Sequence, residues 1–264
     1  MSLNPLPLLY RLLEAVYGVY ALLLFLMFGS ATLILVTLVP GLNIKARRSI
    51  AHFTARSFFA VAGIRIRVLG AEELPDEPCV VVANHASYLD GVVLKGMLPA
   101  RFSFVIKKEV SRVPLAGLLL RRIGAEFVDR FNRHAGGMDA RRLIKAADSG
   151  QALAFFPEGT FVAQPGLGKF HTGAFAIAAR SKLPVVPLAI RGTRHILPSG
   201  HFLPRPGRIE ICILPAVRAP ADLDSTATIT MTRDVARARI LAALNEPDLG
   251  ESDGLADLQT PRKG

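Results

Sequence analysis

The sequence predicts an α/β fold: a largely parallel sheet flanked by helices, preceded by an N-terminal membrane-associated helical segment. Three observations predict it. From about Ile64 onward, short apolar and β-branched runs alternate with helix-length segments, the pattern of a strand-helix-strand domain. The stretch from Ala15 to Val39 holds no charged residue over 25 positions. Finally, the strand-like runs end in polar residues, as the carboxyl ends of parallel strands do where ligands bind in open α/β sheets.

Taken in order, Ala15 to Val39 makes a helix about 37 Å long, against roughly 30 Å of bilayer hydrocarbon. Pro40-Gly41 ends it. Lys45 to Val61 is amphipathic: Lys45, Arg48, His52 and Arg56 share one side of a helical wheel, and Ile50, Phe53, Phe58 and Val61 lie opposite. That is the build of a helix lying at a membrane interface. Basic residues that follow the apolar run place the rest of the chain on the cytoplasmic face. One span plus a surface helix, or a helical hairpin in one leaflet, both fit.

Ile64 to Leu69 reads as the first strand, and the acidic, Pro-containing Glu72 to Pro78 as a loop. Further strands are expected at Cys79 to Ala83, Phe102 to Ile106, Ala125 to Val128, Ala152 to Phe156 and Val185 to Ile190, with Ile209 to Leu214 as a late strand at an edge. Helices are expected over Asp90 to Leu98, Pro114 to Ile123, Ala135 to Ala147, Gly173 to Ser181 and from Asp224 onward. Three regions result: membrane-anchoring or interfacial helices at 1–63, an α/β domain at 64–246 and a flexible tail at 247–264.

Composition narrows the setting. The 264 residues are 51% hydrophobic, contain no Trp and yet carry a net charge of +11; mean hydropathy is +0.36. A chain both apolar and basic suits an anionic membrane surface, where each Lys or Arg contributes about 1 kcal/mol. Nucleic acid is not indicated, since no zinc-finger spacing, RNA-binding signature or basic zipper is present. Cys79 and Cys212 sit inside apolar runs and read as small buried hydrophobes, not as a disulfide or metal site.

The most informative stretch is Asn84-His85-Ala86-Ser87-Tyr88-Leu89-Asp90. On one straight helix, positions five apart lie about 140° apart. With His85 in the turn after a strand and Asp90 in the first turn of the helix that Ser87 caps, the carboxylate can reach back to the imidazole. That contact fixes the tautomer and leaves the other nitrogen free as a base; a buried structural His-carboxylate pair is the alternative. Beyond the other strands follow Lys107-Lys108-Glu109, Asp129-Arg130, Pro157-Glu158-Gly159-Thr160 and Arg191-Gly192-Thr193-Arg194, so a base, an acid and several cations converge on one sheet edge. No Gly-x-Ser-x-Gly elbow, Walker lysine or paired-cysteine metal spacing occurs. His134, His171, His195 and His201 are isolated. A base without an enzyme nucleophile points to direct attack by a substrate hydroxyl.

His85 and Asp90 form a His-x4-Asp motif, Phe156-Pro157-Glu158-Gly159-Thr160 a second block and Val186-Pro187-Leu188-Ala189-Ile190 a last one. With Lys107 and Asp129-Arg130 in this order, residues 64–215 resemble the glycerolipid acyltransferase family typified by 1-acylglycerol-3-phosphate acyltransferase. The resemblance implies transfer of an acyl group from a coenzyme A or acyl-carrier-protein thioester to a lysolipid hydroxyl, with no metal or prosthetic group. It implies His85 as general base and Asp90 as its orienting partner. Lys107 and amides near Gly159 would hold the oxyanion and acyl donor, and Arg130, Glu158, Gly159, Thr160, Arg191 and Arg194 would bind the acceptor. Members acting on glycerol phosphates commonly carry Arg after Glu-Gly-Thr, where this chain has Phe161. Another cation, among Arg130, Lys169, Arg191 and Arg194, would then take the phosphate; alternatively the acceptor is a lyso-ornithine lipid or another lysophospholipid. A non-catalytic lipid- or carrier-binding membrane module is the reading from a different class.

Overall fold

The computed structural model describes residues 6–129, 133–219 and 225–250. Two helices open the chain, α1 (Leu6–Leu38) and α2 (Ile44–Val61). At 1.5 Å per residue, α1 is about 50 Å long. Its segment Leu9–Leu38 has a mean hydropathy of 2.4 and is long and apolar enough to cross a bilayer. Most of its side chains are not buried against the protein. Asn43 caps α2, its side chain accepting from the Ala46 amide at 2.9 Å.

The sheet has seven strands among the described residues: β1 (Arg65–Leu69), β2 (Val80–Ala83), β3 (Ser103–Lys107), β4 (Glu126–Val128), β5 (Leu153–Phe155), β6 (Val185–Arg191) and β7 (Arg208–Ile213), in the order β1-β7-β6-β2-β5-β3-β4. β6, β2, β5, β3 and β4 are mutually parallel. β7 runs antiparallel to β6, and β1 runs parallel to β7. The mixed, mostly parallel sheet agrees with the expected fold class, and all seven strands fall where the sequence places them to within a residue or two.

One placement differs. The last strand is internal, with β1 taking the edge. Its inward Ile209, Ile211 and Ile213 are buried as one face of either kind of strand would be, and the internal place is set by the backbone pairing of β1 along its other side.

Between the strands run α3 (Leu89–Met97), α4 (Ala116–Arg122), α5 (Arg133–Asp148), α6 (Gly173–Arg180), the short α7 (Thr193–Ile196) and finally α8 (Ser225–Leu244). β2 is buried on both faces, as central parallel strands are. Val80 and Val82 pack with α6 and α8, while Val81 and Ala83 pack with α2 and α3. The tail does not leave the domain at 247. Leu167 donates its amide to the Pro247 carbonyl at 3.0 Å, Leu249 donates to Leu167 at 3.0 Å, and Asp248 pairs with Arg237 of α8. That pairing holds the Asp248 carboxyl below, and the Arg237 guanidinium above, its ordinary range.

α2 also departs from expectation. Part of its basic side faces the protein. Arg48 is buried and donates to the carbonyls of Ile123 (3.2 Å), Arg101 (3.3 Å) and Gly124 (3.0 Å), and His52 Nδ1 lies 3.2 Å from the Lys95 carbonyl. Phe53, on the apolar side, is 69% exposed. The physical reason is the end of α4, whose carbonyls have no intrahelical partner and draw in a cation. The Gly124 carbonyl keeps the Ser103 hydroxyl as a donor, but replacing Arg48 with Met takes the side-chain donor from the Ile123 and Arg101 carbonyls, so Arg48→Met is expected to cost about 2–3 kcal/mol, measured as a lowered midpoint in denaturant unfolding of the detergent-solubilised protein.

Candidate active site

β2 ends at Ala83, and the chain turns through Asn84 and His85 into α3. Asn84 is buried, and its side chain mimics a strand: it donates to the Ile190 carbonyl at 3.0 Å and accepts from the Ile190 amide at 2.7 Å. The ends of β2 and β6 are thereby tied where the turn begins.

Asp90 is fully buried in the first turn of α3. Its Oδ2 accepts from the backbone amides of Ala86 (2.6 Å) and Ser87 (2.8 Å) and lies 2.8 Å from His85 Nδ1. An oxygen already accepting from two amides can only accept from the imidazole as well. Nδ1 therefore carries the proton, and Nε2 presents a lone pair. Ser87 is not the positional N-cap. Its hydroxyl donates to Leu197 and accepts from the Leu89 amide, so it is no free nucleophile.

Two aromatic rings hold the imidazole. Phe156 stacks on it at 4.3 Å between centroids with the planes 18° apart, and Phe161 meets it edge-on at 4.7 Å. Tyr88 in turn packs edge-on against Phe161 at 4.8 Å. In the sequence Phe156 stands only as part of a motif, and the box around His85 is not evident there. An aromatic at each end of Phe156-Pro157-Glu158-Gly159-Thr160-Phe161 was the available signal.

His85 opens on an apolar cavity of about 490 Å³, within the size range of small-ligand sites. Phe25 and Phe28 of α1 and Phe58 of α2 form one wall, β3 and α4 the other. The N-terminal helices thus build the cavity as well as precede the domain.

The remaining candidates divide. Lys107, Gly159 and Thr160 line the cavity with His85. The Gly159 amide, however, donates to the Phe156 carbonyl at 3.0 Å in a turn that needs φ of +82°. Its N–H is engaged in that turn, while Lys107 and the Thr160–Phe161 segment remain at the cavity wall.

Glu158 is turned into the protein: Oε1 accepts from the His85 amide at 2.6 Å and Oε2 from the Gly168 amide at 2.9 Å. Burial pushes its carboxyl up, against the opposing pull of those two amides. It holds the His85 turn and does not line the cavity. Arg194 donates to the Val162 carbonyl at 2.7 Å and lies 3.6 Å from Glu246, bracing the loop beyond Thr160. Arg191 pairs with Glu210 at 2.7 Å and lines a separate depression with Arg65, Arg67 and Arg208. Arg130 lies outside the described residues. Lys169 is exposed and does not line the cavity.

Arg237 of α8 donates to the carbonyls of Leu167 and Gly168 at 2.9 Å each. A positioning chain thus runs from α8 through Gly168 and Glu158 to the His85 amide. The two cysteines are free, and burial raises the Cys79 thiol to about 11, which leaves it inert as a nucleophile.

The family described as Acyltransferase matches residues 65–191, from β1 to the end of β6. Strands β1 to β6 and the His85–Asp90 turn lie inside that span, and this segment is similar to the acyltransferase family. Within it the sequence is similar to 1-acyl-sn-glycerol-3-phosphate acyltransferases. It is 32% identical over 181 residues to the chloroplastic enzyme of Brassica napus, covering 65% of this chain and 52% of that one. To the enzyme of Pseudomonas aeruginosa it is 32% identical over 166 residues, 61% of this chain and 63% of that one. The chain thus spans about half to under two thirds of the length of these relatives. The crystal structure of the 1-acyl-sn-glycerophosphate acyltransferase PlsC from Thermotoga maritima has the same fold, with a TM-score of 0.68 at 24% identity over 88% of this chain and 95% of that one.

Proposed function

We propose that the protein is a membrane-associated O-acyltransferase that moves an acyl group from a coenzyme A or acyl-carrier-protein thioester to the free hydroxyl of a lysolipid, 1-acylglycerol-3-phosphate first among acceptors. The observation that carries this reading is the His85–Asp90 pair, boxed by Phe156 and Phe161, at the mouth of an apolar cavity. His85 Nε2 takes the proton of the lysolipid hydroxyl as its oxygen bonds to the thioester carbonyl carbon. The carbonyl π pair moves onto oxygen, where the Lys107 ammonium offsets the charge. On collapse the carbon–sulfur bond breaks, and the thiolate takes the proton back from the imidazolium. The cavity holds the acyl chain, and no metal or prosthetic group enters any step.

The exposed apolar surface of α1 and the exposed Phe53 of α2 support a cavity that opens at a lipid surface, and the basic residues that follow α1 support the cytoplasmic side, from which lysolipid would arrive laterally. Purified protein in detergent, given acyl thioesters of both donor classes and a lysolipid panel, should release thiol only with acceptor present and form phosphatidate fastest. No preference for lysophosphatidate would move the acceptor to another lysolipid, a reading that the edge-on packing of Phe161 favours because no guanidinium stands there. Phe161→Arg is then expected to raise the preference for phosphate-bearing over zwitterionic acceptors roughly tenfold, by adding a charge-assisted hydrogen bond. The ratio of kcat/KM values for the two acceptors checks it.

A further inference from the structure

α3 carries Asp90 in its first turn and Lys95 five residues on, about 7.5 Å further along the helix axis. Lys95 is only 9% exposed, and it lines the same cavity as His85. Its ammonium stands over the Phe104 ring, 5.7 Å from the centroid. Phe104 is three residues back along β3 from Lys107 at the catalytic edge, so Lys95 meets the cavity roughly 10 Å below that edge.

Among the described residues Lys95 forms no ion pair. The charged or titratable neighbours on α2 are Arg48, itself a cation, and His52, whose ring meets the Lys95 backbone carbonyl. Burial first, and the Arg48 charge second, bring the ammonium down to about 8, so it remains largely charged at neutral pH.

A buried cation among largely apolar walls discriminates among chains that lie beside it. A bare hydrocarbon strips water from the ammonium and returns nothing, whereas an oxygen on the chain accepts its hydrogen bond. Resting on the acyl-transfer reading above, we propose that Lys95 is a specificity-determining residue of the acyl cavity, selecting an acyl group that bears a hydroxyl or carbonyl oxygen within its chain over a bare hydrocarbon of the same length. Thr32 and Thr54 line the cavity too; their hydroxyls, 2.8 Å apart, spend their protons on each other and on the Phe28 and Ile50 carbonyls and so offer a substituent acceptor lone pairs only.

The test uses the full chain in detergent with pairs of acyl-CoA donors matched in length, one bare and one hydroxylated, the hydroxyl walked along the chain. Wild type is expected to prefer the hydroxylated donor by roughly tenfold in kcat/KM at a hydroxyl position partway along the chain. Lys95→Met should abolish that preference and speed turnover of the bare chain, and Lys95→Arg should retain it. Equal ratios in wild type and an active Lys95→Met protein overturn the proposal and leave acyl transfer standing. The absence of any favoured hydroxyl position in wild type overturns it even if Lys95→Met does not fold. If wild type transfers no acyl group at all, the acyl-transfer reading fails. Competition of free hydroxylated and bare fatty acids for a fluorescent fatty acid then still reads the selectivity of the cavity: a hydroxyl preference lost in Lys95→Met supports the subsite, and no preference sinks it.

Discussion

Substituting His85 with Ala is expected to lower acceptor-dependent thiol release on the order of 10²- to 10⁴-fold, the range for loss of a general base. The effect should fall on kcat, because in the proposed reading the acyl chain lies against the cavity walls of α1, β3 and α4 and not on the imidazole. Binding of an unreactive acyl-CoA thioether should therefore change little. His85 is a partly exposed ring with a 20% accessible side chain, so its removal leaves the buried core in place. A melting profile like that of wild type would confirm that activity, and not the fold, was lost. A non-catalytic lipid- or carrier-binding module predicts the reverse: full function in His85→Ala, and no lysolipid-dependent thiol release even in wild type.

The sheet was legible because its signals are local. Val80 to Ala83 is apolar at every position because both faces are covered, and Arg208 to Ile213 alternates because its isoleucines all point inward. Strand order is not local, and nothing in Arg208 to Ile213 distinguishes an edge from an internal place. Likewise the helical wheel of α2 separates a basic from an apolar side without saying which faces the protein. That choice is made by carbonyls at Ile123 and Gly124, 75 and 76 residues away from Arg48 in sequence.

The same limit applies at the site. His85 and Asp90 are five residues apart, and their contact follows from a turn and one helical turn. Glu158 is 73 residues from the amide it accepts, and adjacency within a motif gave no sign that its carboxylate faces inward. From sequence, a single Lys in a short helix such as Lys95 reads as a solvated position. Only the packing of α2 over α3 makes it a buried one. Each miss concerns a polar group whose partner or cover comes from a distant part of the chain, and hydrophobic periodicity carries no information about such pairings.

Asp90→Asn separates orientation from charge and should have the second large effect. The amide oxygen of Asn can still accept from the Ala86 and Ser87 amides and from Nδ1, so the turn, the tautomer and the Phe156 stack should persist. What disappears is the negative charge 2.8 Å from the ring nitrogen, in a side chain with no solvent access. In the proposed mechanism the imidazole becomes cationic as the lysolipid hydroxyl loses its proton, and that cation no longer has a counter-charge. Two unit charges near 4 Å interact by roughly 4 kcal/mol at an effective dielectric of 20. Loss of that stabilisation in the transition state alone corresponds to about 10³-fold in rate. The expected result is a fall of about that size in kcat with KM for the lysolipid nearly unchanged. Asp90→Ala should lose stability in addition, since two buried amides are left without an acceptor. A kcat for Asp90→Asn within a few-fold of wild type would mean that Asp90 only shapes the turn, and that the imidazole gains no charge in the rate-limiting step.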